Sequence, residues 1–152
     1  IAAELTAAFV GDAEVLPALL EQLPADEPVA TVAADGAYDT RACHAALLNR
    51  QAAALIPPRA GAVAWSPLAD GRTHPRTAIV EHLRQQGSKS WKIQSGYHRR
   101  SLAETAMFRL KTLFGDPLRN RRFDTQTTQA YARLAAMNTM TQLGMPDTVV
   151  AC

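Results

Sequence analysis

Cysteine and clustered metal ligands are scarce in this chain. Cys43 and Cys152 are its two cysteines, too few and too scattered for a disulfide framework or a Cys-rich zinc site. The four histidines, His44, His74, His82 and His98, form no HxH or HxxxH pair, so a zinc reading has little support. No apolar run reaches the ~18 to 20 residues of a membrane helix, and the Ala-rich start has neither a basic segment nor a signal-cleavage pattern. A soluble protein of a reducing cytoplasm is the expectation. With 47% hydrophobic residues in 152, a sizeable core can form, and disordered, collagen-like and coiled-coil classes are excluded.

The formal net charge of +2 conceals a division. Residues 1–58 carry eight acids against Arg41 and Arg50, a net −6, whereas residues 59–152 carry fourteen bases against six acids, a net +8. That asymmetry suits contact with an anion such as nucleic acid, and solvated helix faces also produce it.

The chain opens on Ile1, and Ile1-Ala2-Ala3-Glu4-Leu5-Thr6 reads as the end of a strand already under way, which suggests a fragment of something longer. Val15, Leu16, Leu19, Leu20 and Leu23 recur at helical spacing up to Pro24, with Asp12 placed to cap. Val29–Ala34 is a continuous apolar run ending at Asp35-Gly36, the pattern of a central strand buried on both faces. A second helix is expected from Asp39 or Thr40 as N-cap to about Arg50, then a strand over Ala52–Ile56 closed by Pro57-Pro58. Residues 59–76 read as a loop, Thr77–Gln86 as a spacer helix ending at Gly87, and Thr125–Leu143 as a last helix. The whole reads as one α/β layer domain with a helical C-terminal half.

Two segments can carry chemistry. Asp35-Gly36-Ala37-Tyr38-Asp39 places a carboxylate just beyond a strand's carboxyl end, where open α/β sheets present ligands. The competing reading makes Asp35 a turn former and Asp39 a helix cap. In the second segment, Tyr97, Arg100, Glu104 and Lys111 fall within a ~60° stripe at ~100° per residue. Leu102, Ala106, Leu110 and Leu113 lie opposite, an apolar face suited to docking on the sheet. Ser101-x-x-Glu104 also fits a capping box, and a helix starting at Ser101 would leave Tyr97 and Arg100 in a loop.

Tyr97-x2-Arg100-x3-Glu104-x6-Lys111 resembles the Tyr-Arg-Glu-Lys signature of bacterial insertion-sequence transposases of the DDE type, and Asp35-Gly36-Ala37-Tyr38 resembles their second-Asp motif. The likeness is greatest to the insertion sequence five family. It covers almost the whole chain, including Leu55-Ile56-Pro57-Pro58-Arg59 and Leu143-Gly144-Met145-Pro146. The resemblance implies a ribonuclease-H-like catalytic domain lacking its first strands, with 1–58 a strand/helix layer, 59–96 a loop and spacer helix, and 97–152 helical. It makes Asp35 and Glu104 the second and third catalytic acids and metal ligands. Tyr97, Arg100 and Lys111 take the signature positions that hold DNA, with Arg99 and Lys92 beside them. The family's first Asp lies upstream of the segment resembling Ile1–Thr6, and Asp12 does not replace it, so the resemblance implies that this chain alone lacks one acid of the catalytic triad.

The implied cofactor is Mg²⁺, with Mn²⁺ as a substitute, and the implied partner is DNA, self-association being open. Two ions ~3.5 to 4 Å apart, held by hard carboxylate oxygens, serve both ends of an in-line phosphodiester displacement. Water as nucleophile cleaves transposon ends, and a freed 3′-hydroxyl transfers strands into target DNA. The alternative is a catalytically dead remnant that binds DNA or pairs with intact transposase. Bacterial cytoplasm is the implied location.

Overall fold

The structure is a computed structural model that describes residues 2–144. Ile1, Met145-Pro146 and Cys152, which figure in the sequence motifs and counts above, lie outside the described residues. The chain divides into two compact bodies, one of Ala2 and residues 4–101, the other of Ala3 with residues from Leu102 onward. The architecture is α/β and mostly helical. The first body runs α1 (Asp12–Glu21), β1 (Thr31–Ala33), a 3-10 turn (Gly36–Tyr38), α2 (Arg41–Asn49), β2 (Ala53–Leu55), α3 (Pro75–Gln94) and a second 3-10 turn (Tyr97–Arg100). The second contains α4 (Ser101–Phe114), apart from its first residue, and α5 (Phe123–Leu143). No described helix is long and apolar enough to cross a membrane.

β1 and β2 pair in parallel, with Thr31 opposite Ala53, Val32 opposite Ala54 and Ala33 opposite Leu55. Parallel pairing sends both strands out at the same end of the sheet, so the segments from Asp35 and Pro57 emerge side by side. The expected both-face burial of β1 is corrected: Thr31 is exposed, and Val32 and Ala33 are half-buried. Among the described residues the sheet has two strands, each with an unpaired edge. The strand expected at the start is also corrected, since Ala2–Thr6 forms no regular element.

The core forms where the helices meet the sheet ends. Leu16 and Leu20 of α1 pack with Cys43 and Leu47 of α2 and with Ala52 and Ile56 flanking β2, each large side chain contributing roughly 1.5–3 kcal/mol by leaving water. The Cys43 thiol donates to the Ala13 carbonyl at 3.1 Å, fastening α2 to α1. Gly11, not Asp12, caps α1, and its N–H donates to Glu14 at 3.2 Å. Arg50 donates to the carbonyls of Pro24, Ala25 and Glu27, closing the loop between α1 and β1.

Of the two caps expected for α2, Thr40 serves: its hydroxyl accepts from the Cys43 N–H at 3.2 Å. Its far end turns on Gln51 at φ 57°. There the Gln51 and Ala52 N–H groups return to Leu48 and Leu47, a left-handed helix stop. Thr40→Ala is expected to lower the stability of this body by ~1 kcal/mol in denaturant unfolding. A loss under a few tenths would show that water replaces the cap.

The expected spacer helix begins earlier, at Pro75, whose missing N–H costs nothing at a first helical position. It breaks at the expected Gly87, which leaves helical geometry at φ 79°, ψ 166°, but helix resumes to Gln94. α5 starts two residues before its expected position. No α4 residue is buried, and of its expected apolar face Leu102 and Leu113 are each at least half exposed. Met137 of α5 is its one buried hydrophobic among the described residues.

Candidate functional site

Asp35 lies two residues beyond β1, just past the strand's carboxyl end, as its sequence position predicts. It is exposed, and its Oδ1 accepts from the Ala37 N–H at 2.9 Å, capping the 3-10 turn. The turn role weighed against a functional one is therefore present. It engages one oxygen. Oδ2 makes no hydrogen bond among the described residues, which leaves a hard oxygen donor of the kind Mg²⁺ or Mn²⁺ takes.

The Pro57-Pro58-Arg59 segment leaves the neighbouring strand and grips this turn. A β-carbon on Gly36 would stand 3.2 Å from the Pro57 carbonyl oxygen, so the close approach favours glycine. Arg59 donates from Nε to the Gly36 carbonyl at 3.2 Å and from Nη2 to the Ala37 carbonyl at 3.1 Å. Its backbone N–H reaches Asp39 Oδ2 at 3.1 Å. The Asp35–Asp39 and Pro57–Arg59 motifs thus meet through a steric fit and three hydrogen bonds.

Asp39 is the hub beneath them. Its carboxylate receives Arg76 Nε at 2.5 Å and Nη2 at 2.8 Å, and His44 Nε2 at 3.2 Å. The side chains of Asp39, His44 and Arg76 are 2%, 2% and 5% exposed, so this is a buried ion pair. Burial pushes the Asp39 carboxyl up. The Arg76 hydrogen bonds, the Arg59 N–H, the Arg76 charge and His44 outweigh that, and the net direction is downward.

Around the pair, Trp65 lies edge-on to His44 and His74 at centroid distances of 5.1 and 4.9 Å. The guanidinium carbons of Arg76 and Arg41 stand 4.3 and 4.7 Å from its ring centroid. These are cation–π distances, so Trp65 is both a packing residue and a platform for arginines. His74 caps α3 by accepting the Arg76 N–H on Nδ1 at 3.2 Å. Burial holds both histidines below the usual imidazole range. For His44 the bond to and charge of Asp39 oppose this; for His74 the charges of Arg76 and Arg41 add to it. From sequence, Asp39 has only a capping role, and nothing singles out Arg76, His44 or His74 as its partners. The one accessible signal is the double occurrence of Asp in Asp35–Asp39, which local capping rules explain without invoking burial.

The Tyr97–Lys111 stripe is corrected at its first turn. Tyr97 to Arg100 form a 3-10 turn, and α-helix begins at Ser101, the start marked by the capping-box pattern. Residues advance ~120° each in a 3-10 turn rather than ~100°, so the four side chains do not share one α-helical face. Glu104 and Lys111, seven apart on α4, still do. Glu104 is exposed in the first turn of α4, and Lys111 pairs with Asp116 at 3.0 Å. That exposed pair is worth ~0–1 kcal/mol.

The first body gathers the other basic candidates. Lys92, Tyr97, His98, Arg100 and Ser101 line a pocket of 240 Å³. The Tyr97 ring packs on buried Trp91 at 5.3 Å, with Lys92 Nζ and the Arg100 guanidinium 5.8 and 5.9 Å from its centroid. Arg99, in the same turn, is exposed. This turn packs against β1, the strand that leads into Asp35. Asp35 belongs to the first body and Glu104 to the second. Among the described residues no group of three or more His, Cys, Asp or Glu side chains could hold a metal ion.

No solved structure matches the chain. The family model described as "Transposase DDE domain" matches residues 1–139. The Asp beyond the carboxyl end of a parallel strand and the basic segment that follows are thus parts of a chain that belongs to the transposase DDE domain family.

Proposed function

We propose that this chain is a DDE transposase catalytic domain of the insertion sequence five type, ribonuclease-H-like in fold. Transposases act on DNA, and DDE transposases generally use divalent metals. In this reading Asp35 and Glu104 are the second and third catalytic acids, each offering a carboxylate to a divalent ion. Bound Mg²⁺ would supply charge stabilisation and an activated oxygen nucleophile for phosphodiester cleavage and strand transfer. Lys92, Tyr97, Arg99, Arg100 and Lys111 would hold the DNA strand.

The observation that carries the reading is the pocket of Lys92, Tyr97 and Arg100 against the strand that ends at Asp35. A guanidinium suits bidentate phosphate contact, and a lysine supplies a compact point charge. Tyr97 already has Trp91, Lys92 and Arg100 around its ring, so its hydroxyl is better placed than its face to meet the strand.

Duplex DNA binding by the chain should weaken steeply with salt. Lys92→Ala and Arg100→Ala should each reduce the log–log salt slope by about 0.9, the signature of one lost phosphate contact. Affinity should fall by about tenfold for Arg100→Ala, as for one charge-assisted hydrogen bond. Fluorescence anisotropy across a salt series reads both quantities. Unchanged slope and affinity in both variants would remove the pocket from the DNA-binding surface.

A further inference from the structure

We propose that Arg59 is a positioning residue for Asp35, acting through the peptide group that joins Gly36 to Ala37. This rests on the reading of Asp35 as a metal ligand. The carbonyl of that peptide accepts from Arg59 Nε at 3.2 Å, and its N–H donates to Asp35 Oδ1 at 2.9 Å. One rigid plane therefore joins the guanidinium to the carboxylate. A cation on the carbonyl side polarises the amide and strengthens its N–H as a donor. Oδ1 is thereby held, and Oδ2 is left for a cation.

Three contacts keep the plane from rotating. The Asp39 N–H also donates to the Gly36 carbonyl at 3.2 Å, Arg59 Nη2 holds the next carbonyl, and the Pro57 oxygen closes against Gly36. The clamp is itself anchored, because the Arg59 N–H ends on Asp39, whose carboxylate is fixed by Arg76. Lysine cannot replace this arrangement. It keeps the charge, but its single nitrogen lacks the planar fork that spans two successive carbonyls.

The test uses the whole chain and Mn²⁺ alone, with paramagnetic broadening of amide signals as the binding readout and hydrogen exchange at Ala37 as the geometric one. In the unaltered protein, Mn²⁺ should broaden the signals around Asp35, and Asp35→Asn should abolish this. Arg59→Lys and Arg59→Ala should each raise the apparent Mn²⁺ dissociation constant about tenfold, as for one charge-assisted hydrogen bond. Both should also speed Ala37 exchange by a similar factor while leaving exchange at Cys43 and Leu47 in α2 unchanged. If Arg59→Ala fails to fold, Arg59→Lys carries the comparison. Equal Mn²⁺ affinity in the unaltered and lysine proteins would overturn the positioning role while leaving Asp35 a ligand. No Asp35-dependent broadening in the unaltered protein would overturn the ligand reading, and the proposal with it.

Discussion

Asp39→Asn should destabilise the body formed by residues 4–101 by about 3–5 kcal/mol, several times the loss expected from removing the Thr40 cap. The carboxylate carries two hydrogen bonds from Arg76, one from His44 and one from the Arg59 backbone. Neutralising it leaves a guanidinium that is 5% exposed without a counter-ion. An isolated buried cation costs far more than the pair gains over an apolar substitute, so the penalty comes from the arginine left behind. Removing both charges in Asp39→Leu/Arg76→Met should therefore recover much of the loss.

The measurement is straightforward because both tryptophans, Trp65 and Trp91, lie in this body. Their fluorescence during urea unfolding reports on it without a signal from the other. Against a typical total of about 5–15 kcal/mol, the predicted loss is a large fraction. An Asp39→Asn midpoint that yields less than about 0.5 kcal/mol would mean that Arg76 finds another partner or reaches water.

The same body should lose stability as pH falls from neutrality through about 6.5. His44 and His74 both have folded-state values below the ordinary 6.5. Between the folded and unfolded values the unfolded chain binds more protons, so stability rises with pH in that window and its full value is present above it. Both side chains act in the same direction.

The cause is visible in the hydrogen bonds. His44 must carry its proton on Nε2 to donate to Asp39, and His74 must leave Nδ1 bare to accept the Arg76 N–H. A second proton on His74 would remove the α3 cap and place a cation beside Arg76 and Arg41, the charges already opposing it. On His44 a second proton gains some attraction from Asp39 but meets the desolvation penalty of a 2% exposed site. Asp39, with a lowered value, adds a further loss only below the ordinary carboxylate range near 3.8.

The expected result is a tryptophan-detected urea midpoint that declines steadily from pH 7 to pH 5.5, with the decline reduced in His74→Asn. Asparagine can accept the same N–H without titrating. A midpoint flat across that interval would show that both imidazoles protonate without disturbing the cluster.

Much of this protein is readable without its fold. Pro24, Pro57 and Gly87 mark where α1, β2 and the first stretch of α3 stop, and Thr40 caps α2. The charge division, Asp35 at a strand's end and the Tyr97–Lys111 spacing are equally open to inspection. These are local signals, set by steric and hydrogen-bonding preferences of residues within a few positions of one another, and they need no knowledge of distant chain.

The tertiary structure decided the rest, because the deciding partners are remote. Arg76 meets Asp39 across 37 positions, and Arg59 reaches Gly36 across 23. No periodicity encodes such pairs, and an aspartate before a helix looks like a cap whether or not an arginine later buries it. The helical stripe failed for a related reason. Tyr97 packs on Trp91, and Arg100 stands beside its ring, in a 3-10 turn before α4 begins. Most element positions, the charge division and the motif spacing are written locally in the chain; packing alone sets which carboxylate faces water as Asp35 does and which, like Asp39, is buried against an arginine.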